Sequence, residues 1–137
     1  MPMNPPAHVR LFSPETLAPV VGYSQIAEVS GGRMVLLAGQ VAFDATRTLV
    51  GRGDFRAQAQ QVFANIKTAL AAVGADFSQV VKLNIYLLDR ANLPVLREVR
   101  DAFVNTEAPP ASTLLVVGGL AQEEFLLEVE AVASLPA

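Results

Sequence analysis

Two stretches of the sequence are apolar at every consecutive position: Met34-Val35-Leu36-Leu37-Ala38 and Leu114-Leu115-Val116-Val117. Successive side chains of a strand point to opposite faces, so a strand built from either stretch offers hydrophobic surface on both sides of a sheet. Only two helical patterns are available to cover that surface. The first, over 55–73, repeats Phe55, Ala59, Val62, Phe63, Ile66, Ala69, Leu70 and Val73 at three- and four-residue spacing, with Asp54 as N-cap and Gly74 as a stop. The second, over 93–104, buries Leu96, Val99 and Phe103 and breaks at Ala108-Pro109-Pro110. Two helices cover one face of a sheet and leave the other open. Burying a Val or Leu fully stabilises by ~1.5–3 kcal/mol, and a large exposed apolar patch marks an interface. The chain is therefore expected to be an obligate oligomer.

The remaining elements fit around this frame. Residues 1–20 hold Pro2, Pro5, Pro6, Pro14 and Pro19 and read as an extended N-terminal arm with a short strand over 8–12. Strands over 23–29 and 34–41 are expected to form a hairpin through Ser30-Gly31-Gly32-Arg33. Residues 43–53 read as a polar surface loop. Further strands are expected over 80–88, 112–117 and 125–133, with Gly118-Gly119 beginning the turn between the last two. In the 80–88 strand Val81, Leu83, Ile85 and Leu87 share a face. The order β-β-α-β-α-β-β, without repeats or a linker, describes one α+β domain over 1–137 with two helices on a mixed β-sheet.

Composition removes several kinds of chemistry. The 137 residues carry 10 Lys and Arg against 13 Asp and Glu, a formal net charge of -3, which argues against a nucleic-acid partner. There is no cysteine, which removes thiol nucleophiles, disulfides, Cys-ligated zinc and iron–sulfur clusters; the one histidine, His8, leaves little for a catalytic triad or a metal centre. No glycine loop of a nucleotide-binding type is present. The longest charge-free stretch, 108–122, contains two prolines and two glycines and falls short of the ~20 apolar residues of a membrane span. No secretory leader pattern opens the sequence. A soluble, cytoplasmic protein without metal or cofactor, and with neither nucleic acid nor membrane as partner, is expected.

Few residues suggest chemistry directly. Arg52-Gly53-Asp54 reads as a loop ending in a helix cap, His8 as a polar residue of the arm, and Lys67 and Lys82 as solvated. Glu128 and Glu130, two apart on one strand, point to the same face. They form either a solvent-facing strip on an edge strand or a carboxylate at the rim of an intersubunit cleft, acting as acid or base. Tyr23, in Gly22-Tyr23-Ser24-Gln25, either packs or hydrogen-bonds a ligand.

An ordered series of short motifs nevertheless resembles one family. It runs through Gly22-Tyr23-Ser24-Gln25, Ala38-Gly39-Gln40, Ala57-Gln58-Ala59 and Asn65-Ile66-Lys67. It continues through Gly74-Ala75-Asp76-Phe77, Val81-Lys82-Leu83, Tyr86-Leu87-Leu88-Asp89, Pro110-Ala111 and Glu128-Val129-Glu130-Ala131. Together these resemble the RidA group, also called YjgF or L-PSP proteins, over about residues 18–133. The resemblance implies a chorismate-mutase-like α+β fold, a homotrimer with a central β-barrel, and small-molecule clefts between subunits. It also implies cofactor-independent hydrolysis of enamines and imines to a carbonyl compound and ammonia. In the family an arginine grips the substrate carboxylate by a two-pronged ion pair, a glutamate handles the water, and a tyrosine and backbone groups complete the cleft.

On that resemblance Glu128 and Tyr23 are the catalytic candidates, and Ala38, Gly39, Arg97, Ser112 and Leu114 the substrate-binding ones. Three of these depart from the family pattern. Ser112 stands where the family has its arginine, Leu114 where active members often have cysteine, and Ala38 where they often have serine. The usual proline between Gly22 and Tyr23 is also missing. A neutral serine cannot replace charge-assisted hydrogen bonds worth ~1.5–3 kcal/mol each, so a substrate without a carboxylate suits Ser112 better than a 2-imino acid. Arg97, counted without gaps from Asp89, falls where the family commonly has an asparagine near the cleft. It either supplies the missing charge or pairs on the helix surface with Glu98 or Asp101. A non-enzymatic ligand-binding or regulatory trimer is the alternative function, and an L-PSP-type endoribonuclease the weakest one.

Overall fold

The architecture follows from a computed structural model, which describes residues 4–137; the first three residues of the arm lie outside it. Four strands form the main sheet in the order β3-β6-β4-β5: β3 (Arg33–Gln40), β4 (Val80–Leu87), β5 (Ala111–Val116) and β6 (Leu127–Leu135). β6 runs antiparallel to both neighbours, whereas β4 and β5 are parallel, so the sheet is mixed. A parallel pair needs a crossover, and the helix α2 (Leu93–Asp101) provides it. The longer helix α1 (Phe55–Ala72) lies on the same face.

Local chemistry sets the bounds of α1. The Asp54 carboxylate accepts a hydrogen bond from the Ala57 amide at 3.1 Å, and Gly74 leaves the helix with φ +74. The apolar stripe of α1 is buried against Leu83, Ile85 and Leu87 of β4 and Leu127, Val129 and Ala131 of β6. Phe103, just beyond α2, stacks on Phe63 with ring centres 5.6 Å apart and meets Phe77 at 5.7 Å. α2 is three residues shorter than the sequence pattern suggests. Its last carbonyls are closed by a turn in which the Phe103 and Val104 amides both donate to the Arg100 carbonyl.

The expected hairpin over 23–41 does not form. β2 (Ile26–Val29) pairs with β1 (Val9–Phe12) in a separate two-stranded antiparallel sheet, while β3 pairs with β6. The turn itself is present, with Gly31 and Gly32 at φ +92 and +90. It hands the chain from one sheet to the other because Gly32 is wedged between the Leu135 carbonyl and the His8 ring, whose Nε2 lies 2.6 Å from where a Cβ would stand. The His8 ring also exchanges a hydrogen bond of 2.8 Å with the Ser134 hydroxyl, so the arm's one histidine ties the small sheet to β6. Likewise β5 and β6 are not neighbours, because β4 lies between them, and 117–126 is a crossing loop rather than a tight turn.

The second sheet face is open, as the two-helix count requires. Met34 and Leu36 on β3 are 72% and 71% exposed, and Leu115 on β5 is 48% exposed. Among the described residues no helix is long and apolar enough to cross a membrane.

Candidate functional site

Glu128 and Glu130 do alternate with buried Leu127, Val129 and Ala131, so they share the open face. Their strand is central in the sheet rather than an edge. The two carboxylates then part company. Glu130 accepts a hydrogen bond from the Tyr86 hydroxyl at 2.5 Å, and that bond, with burial and the negative charges of Glu130 and Glu128, pushes the Tyr86 pKa up. Glu128 turns instead toward β3.

The backbone there is built for it. Leu37 pairs with Ala131 and Gln40 with Val129, so two residues, Ala38 and Gly39, stand opposite the single Glu130. This β-bulge bends the edge strand and sets Gly39 beneath the Glu128 side chain. A Cβ on Gly39 would lie 2.8 Å from Glu128 Cδ and closer still to Oε2, so the carboxylate keeps this position only over glycine. Glu128 faces a cavity of about 820 Å³ whose other walls include Phe43, Gln61, Asn65 and Phe125. Asn65 and Gln61 hold that wall by donating to the Phe43 carbonyl at 2.8 and 3.4 Å.

Tyr23, Arg97, Ser112 and Leu114 collect elsewhere, around a second cavity of about 230 Å³. Tyr23 reaches it because its neighbour Ser24 docks on the start of β5. The Ser24 amide donates to the Pro110 carbonyl at 3.0 Å and its hydroxyl to the Pro109 carbonyl at 2.6 Å. Sequence reasoning thus gathers two half-sites rather than one. Ala38, Gly39 and Glu128 sit at the β3 edge, and Tyr23, Arg97, Ser112 and Leu114 at the β5 edge.

The second half-site contains a residue the sequence reading missed. Arg100 lines the same cavity with its side chain only 8% exposed, and its Nε and Nη2 both reach Asp101 Oδ1 at 2.9 Å. Arg97 does not pair with Glu98, which is bound to Arg56 at 2.8 Å, nor with Asp101, which is bound to Arg100. The signal was present in the spacing: Leu93, Arg97 and Arg100 stand at i, i+4 and i+7 on one helix face.

Comparison with known proteins accords with this geometry. The family model described as Endoribonuclease L-PSP matches residues 14–135. The chain belongs to the RidA/YjgF (L-PSP) family. Among solved structures, the family member YyfB from Yersinia pestis superposes with a TM-score of 0.88 at 39% identity, covering 93% of this chain and 99% of that one. Protein DfrA from Myxococcus xanthus is 36% identical over 121 residues, 88% of each chain. A 2-iminobutanoate/2-iminopropanoate deaminase from Dermatophagoides farinae is 33% identical over 104 residues, 76% of this chain and 80% of that one. No group of three or more His, Cys, Asp or Glu residues close enough to hold a metal ion exists among the described residues.

Proposed function

We propose that this RidA-family chain hydrolyses an enamine or imine, without a cofactor, in clefts completed by neighbouring copies of itself. The observation that carries the reading is the Glu128 carboxylate seated over the bulge at Ala38-Gly39 and facing a cavity. A carboxylate beside an electrophilic C=N carbon can take a proton from attacking water and return it to nitrogen as the carbinolamine collapses. Water adds to carbon, the C–N bond breaks, and a carbonyl compound and ammonia leave. Tyr23, from the other half-site, supplies a phenol that can donate to the substrate. Ala38, Gly39, Arg97, Ser112 and Leu114 shape and orient it.

The placement of the halves supports an oligomer of a particular kind. They lie at opposite edges of the main sheet, so a two-fold contact through either edge would join like with like. A head-to-tail contact of β3 on β5 brings Glu128 to Tyr23, and such contacts close into rings. A homotrimer with its open sheet faces turned into a central barrel buries Met34, Leu36 and Leu115 and makes three clefts. The reading assigns the protein to the cytoplasm with a small-molecule ligand. Its net charge of -3 gives ribonuclease chemistry no electrostatic footing.

The test is hydrolysis of freshly generated imines, with and without a carboxylate, by the wild type and Glu128→Gln. Acceleration that disappears in the variant is expected. Absence of acceleration on every imine would overturn the enzymatic reading and leave a ligand-binding trimer.

A further inference from the structure

Tyr86 shares the open face of the main sheet with Lys82 and Asn84, alternating with buried Leu83, Ile85 and Leu87. Its Cα partner on β6 is Glu128, yet its hydroxyl goes diagonally to Glu130 Oε1 at 2.5 Å. Directly opposed residues have Cβ atoms about 4.5–5.5 Å apart, and an aromatic side chain also reaches the diagonal neighbour, so the phenol has two carboxylates within range. It is committed to one. Lys82, the charged donor of that face, is drawn off to the Thr113 hydroxyl at 2.7 Å. Among the described residues neither glutamate forms an ion pair, and none donates a hydrogen bond to Glu128, whose carboxylate lies over Gly39. One glutamate is thus satisfied by a phenol, and the other, two residues away, is bare.

We propose that Glu130 is the positioning residue of the site: by holding the Tyr86 hydroxyl it keeps that phenol off Glu128 and leaves the Glu128 carboxylate free over Gly39. A phenol bonded to a carboxylate makes a short, charge-assisted contact that would have to open before the carboxylate could take a proton from water. The inference deepens the hydrolytic reading and rests on it. It gives the paired glutamates of β6 unequal tasks: Glu130 is a tether that touches no substrate, and Glu128 is the group that moves the proton. The Glu130 hydrogen bond, burial and the charges of Glu130 and then Glu128 together hold the proton on Tyr86, in keeping with a phenol close to both.

The first test is kinetic and uses the assembled protein. Glu130→Ala releases the phenol to Glu128, and kcat for imine hydrolysis should fall about ten- to a hundredfold with KM little changed, since a charge-assisted bond must open before each turnover. Adding Tyr86→Phe should restore the rate, because the competing hydroxyl is gone; a merely structural loss at Glu130 would not be repaired by a second deletion. Glu130→Gln, whose amide oxygen can still accept the phenol hydrogen, should recover most of the loss. Full activity in Glu130→Ala, or a double variant no faster than the single one, overturns the proposal while leaving Glu128-dependent hydrolysis intact. Should alanine unsettle the strand, Glu130→Val, a better strand former, takes its place.

A second test needs no turnover. The chain has two tyrosines and no tryptophan, so tyrosinate absorbance isolates Tyr86 once the Tyr86→Phe signal is subtracted. In Glu130→Ala the phenol should still titrate above the ordinary tyrosine value, because Glu128 has taken it over. Glu130→Ala combined with Glu128→Gln should bring it back toward that value. A return in Glu130→Ala alone would show that the phenol does not move to Glu128, and would sink the proposal. A wild type that hydrolyses no imine removes the hydrolytic reading, and the titration then decides the tether by itself.

Discussion

Replacing Gly39 with alanine separates the fold from the chemistry. Its φ lies outside the left-handed region, so alanine meets no backbone penalty there; the obstacle is the Glu128 side chain. The new Cβ would stand 2.8 Å from Cδ and 3.0 Å from Cγ, where carbon atoms prefer about 3.5–4.0 Å. The carboxylate must retreat by about 1 Å or adopt a strained rotamer, at ~0.5–1.5 kcal/mol. Stability should therefore fall by no more than that in a denaturant titration. The reaction should suffer far more, since a misplacement of ~1 Å costs on the order of 100-fold, or about 2.7 kcal/mol of barrier. The assay is kcat/KM for imine hydrolysis in the four combinations of Gly39→Ala and Glu128→Gln. Because both act through one carboxylate, the double variant should be no worse than Glu128→Gln. Full activity in Gly39→Ala, or a further loss in the double variant, would refute the reasoning.

Other perturbations probe other parts of the molecule. Gln58 is fully buried on α1 and joins two loops: it donates to the Gly51 and Glu124 carbonyls at 3.1 and 2.9 Å and accepts from the Leu126 amide at 3.0 Å. Gln58→Leu strands these groups and should cost about 2–4 kcal/mol by chemical denaturation; a loss below about 1 kcal/mol would show that the loops find other partners. Covering the exposed seven-tenths of Met34 and Leu36 is worth about 1–2 kcal/mol per residue per copy. Leu36→Glu should accordingly yield monomers in sedimentation, and an intact oligomer would remove the open face from the interface. Asp44 is held below the ordinary carboxylate range by the Thr46 hydroxyl first, then by the Thr48 and Thr46 amides. A lowered folded-state pKa means that its contribution is complete above about pH 4 and lost as pH falls through the depressed value. The protection factors of the Thr46 and Thr48 amides, exchange rates corrected for the intrinsic pH dependence, should fall as pH drops through the depressed Asp44 value, and unchanged protection would contradict the assignment.

Legibility in the sequence followed the range of the interactions concerned. α1 was readable to within a residue because its cap, stripe and stop are all local. The shared face of Glu128 and Glu130 was readable because a strand's period is fixed. The pairing of β2 was not, since Ser30-Gly31-Gly32-Arg33 specifies a turn and not the sheet entered after it; His8 and Leu135, far apart in the chain, decide that. Gln58 figured in the sequence only within Ala57-Gln58-Ala59, because the two loops it joins lie far from it along the chain or beyond its own helix. The burial of Arg100 was hidden for a further reason, because it depends on Gly22 offering backbone without a Cβ across the fold. The division of the site into two halves required knowing that β3 and β5 are edges, which strand order alone reveals.

The central position of β6 bears on how such a molecule is made. The domain's last strand is inserted between β3 and β4, which precede it by some 90 and 45 residues. Until it has left the ribosome, neither neighbour has its antiparallel partner, and the β3 edge lacks Glu128. The nascent chain must hold the edge of β3, and later that of β4, unpaired until β6 emerges, a state inviting pairing with other chains. Contacts this distant in sequence also slow folding. A variant lacking β6 would therefore detach β3 from the main sheet and leave only the parallel β4–β5 pair, and a free peptide spanning β6 is a natural candidate for rejoining them in trans.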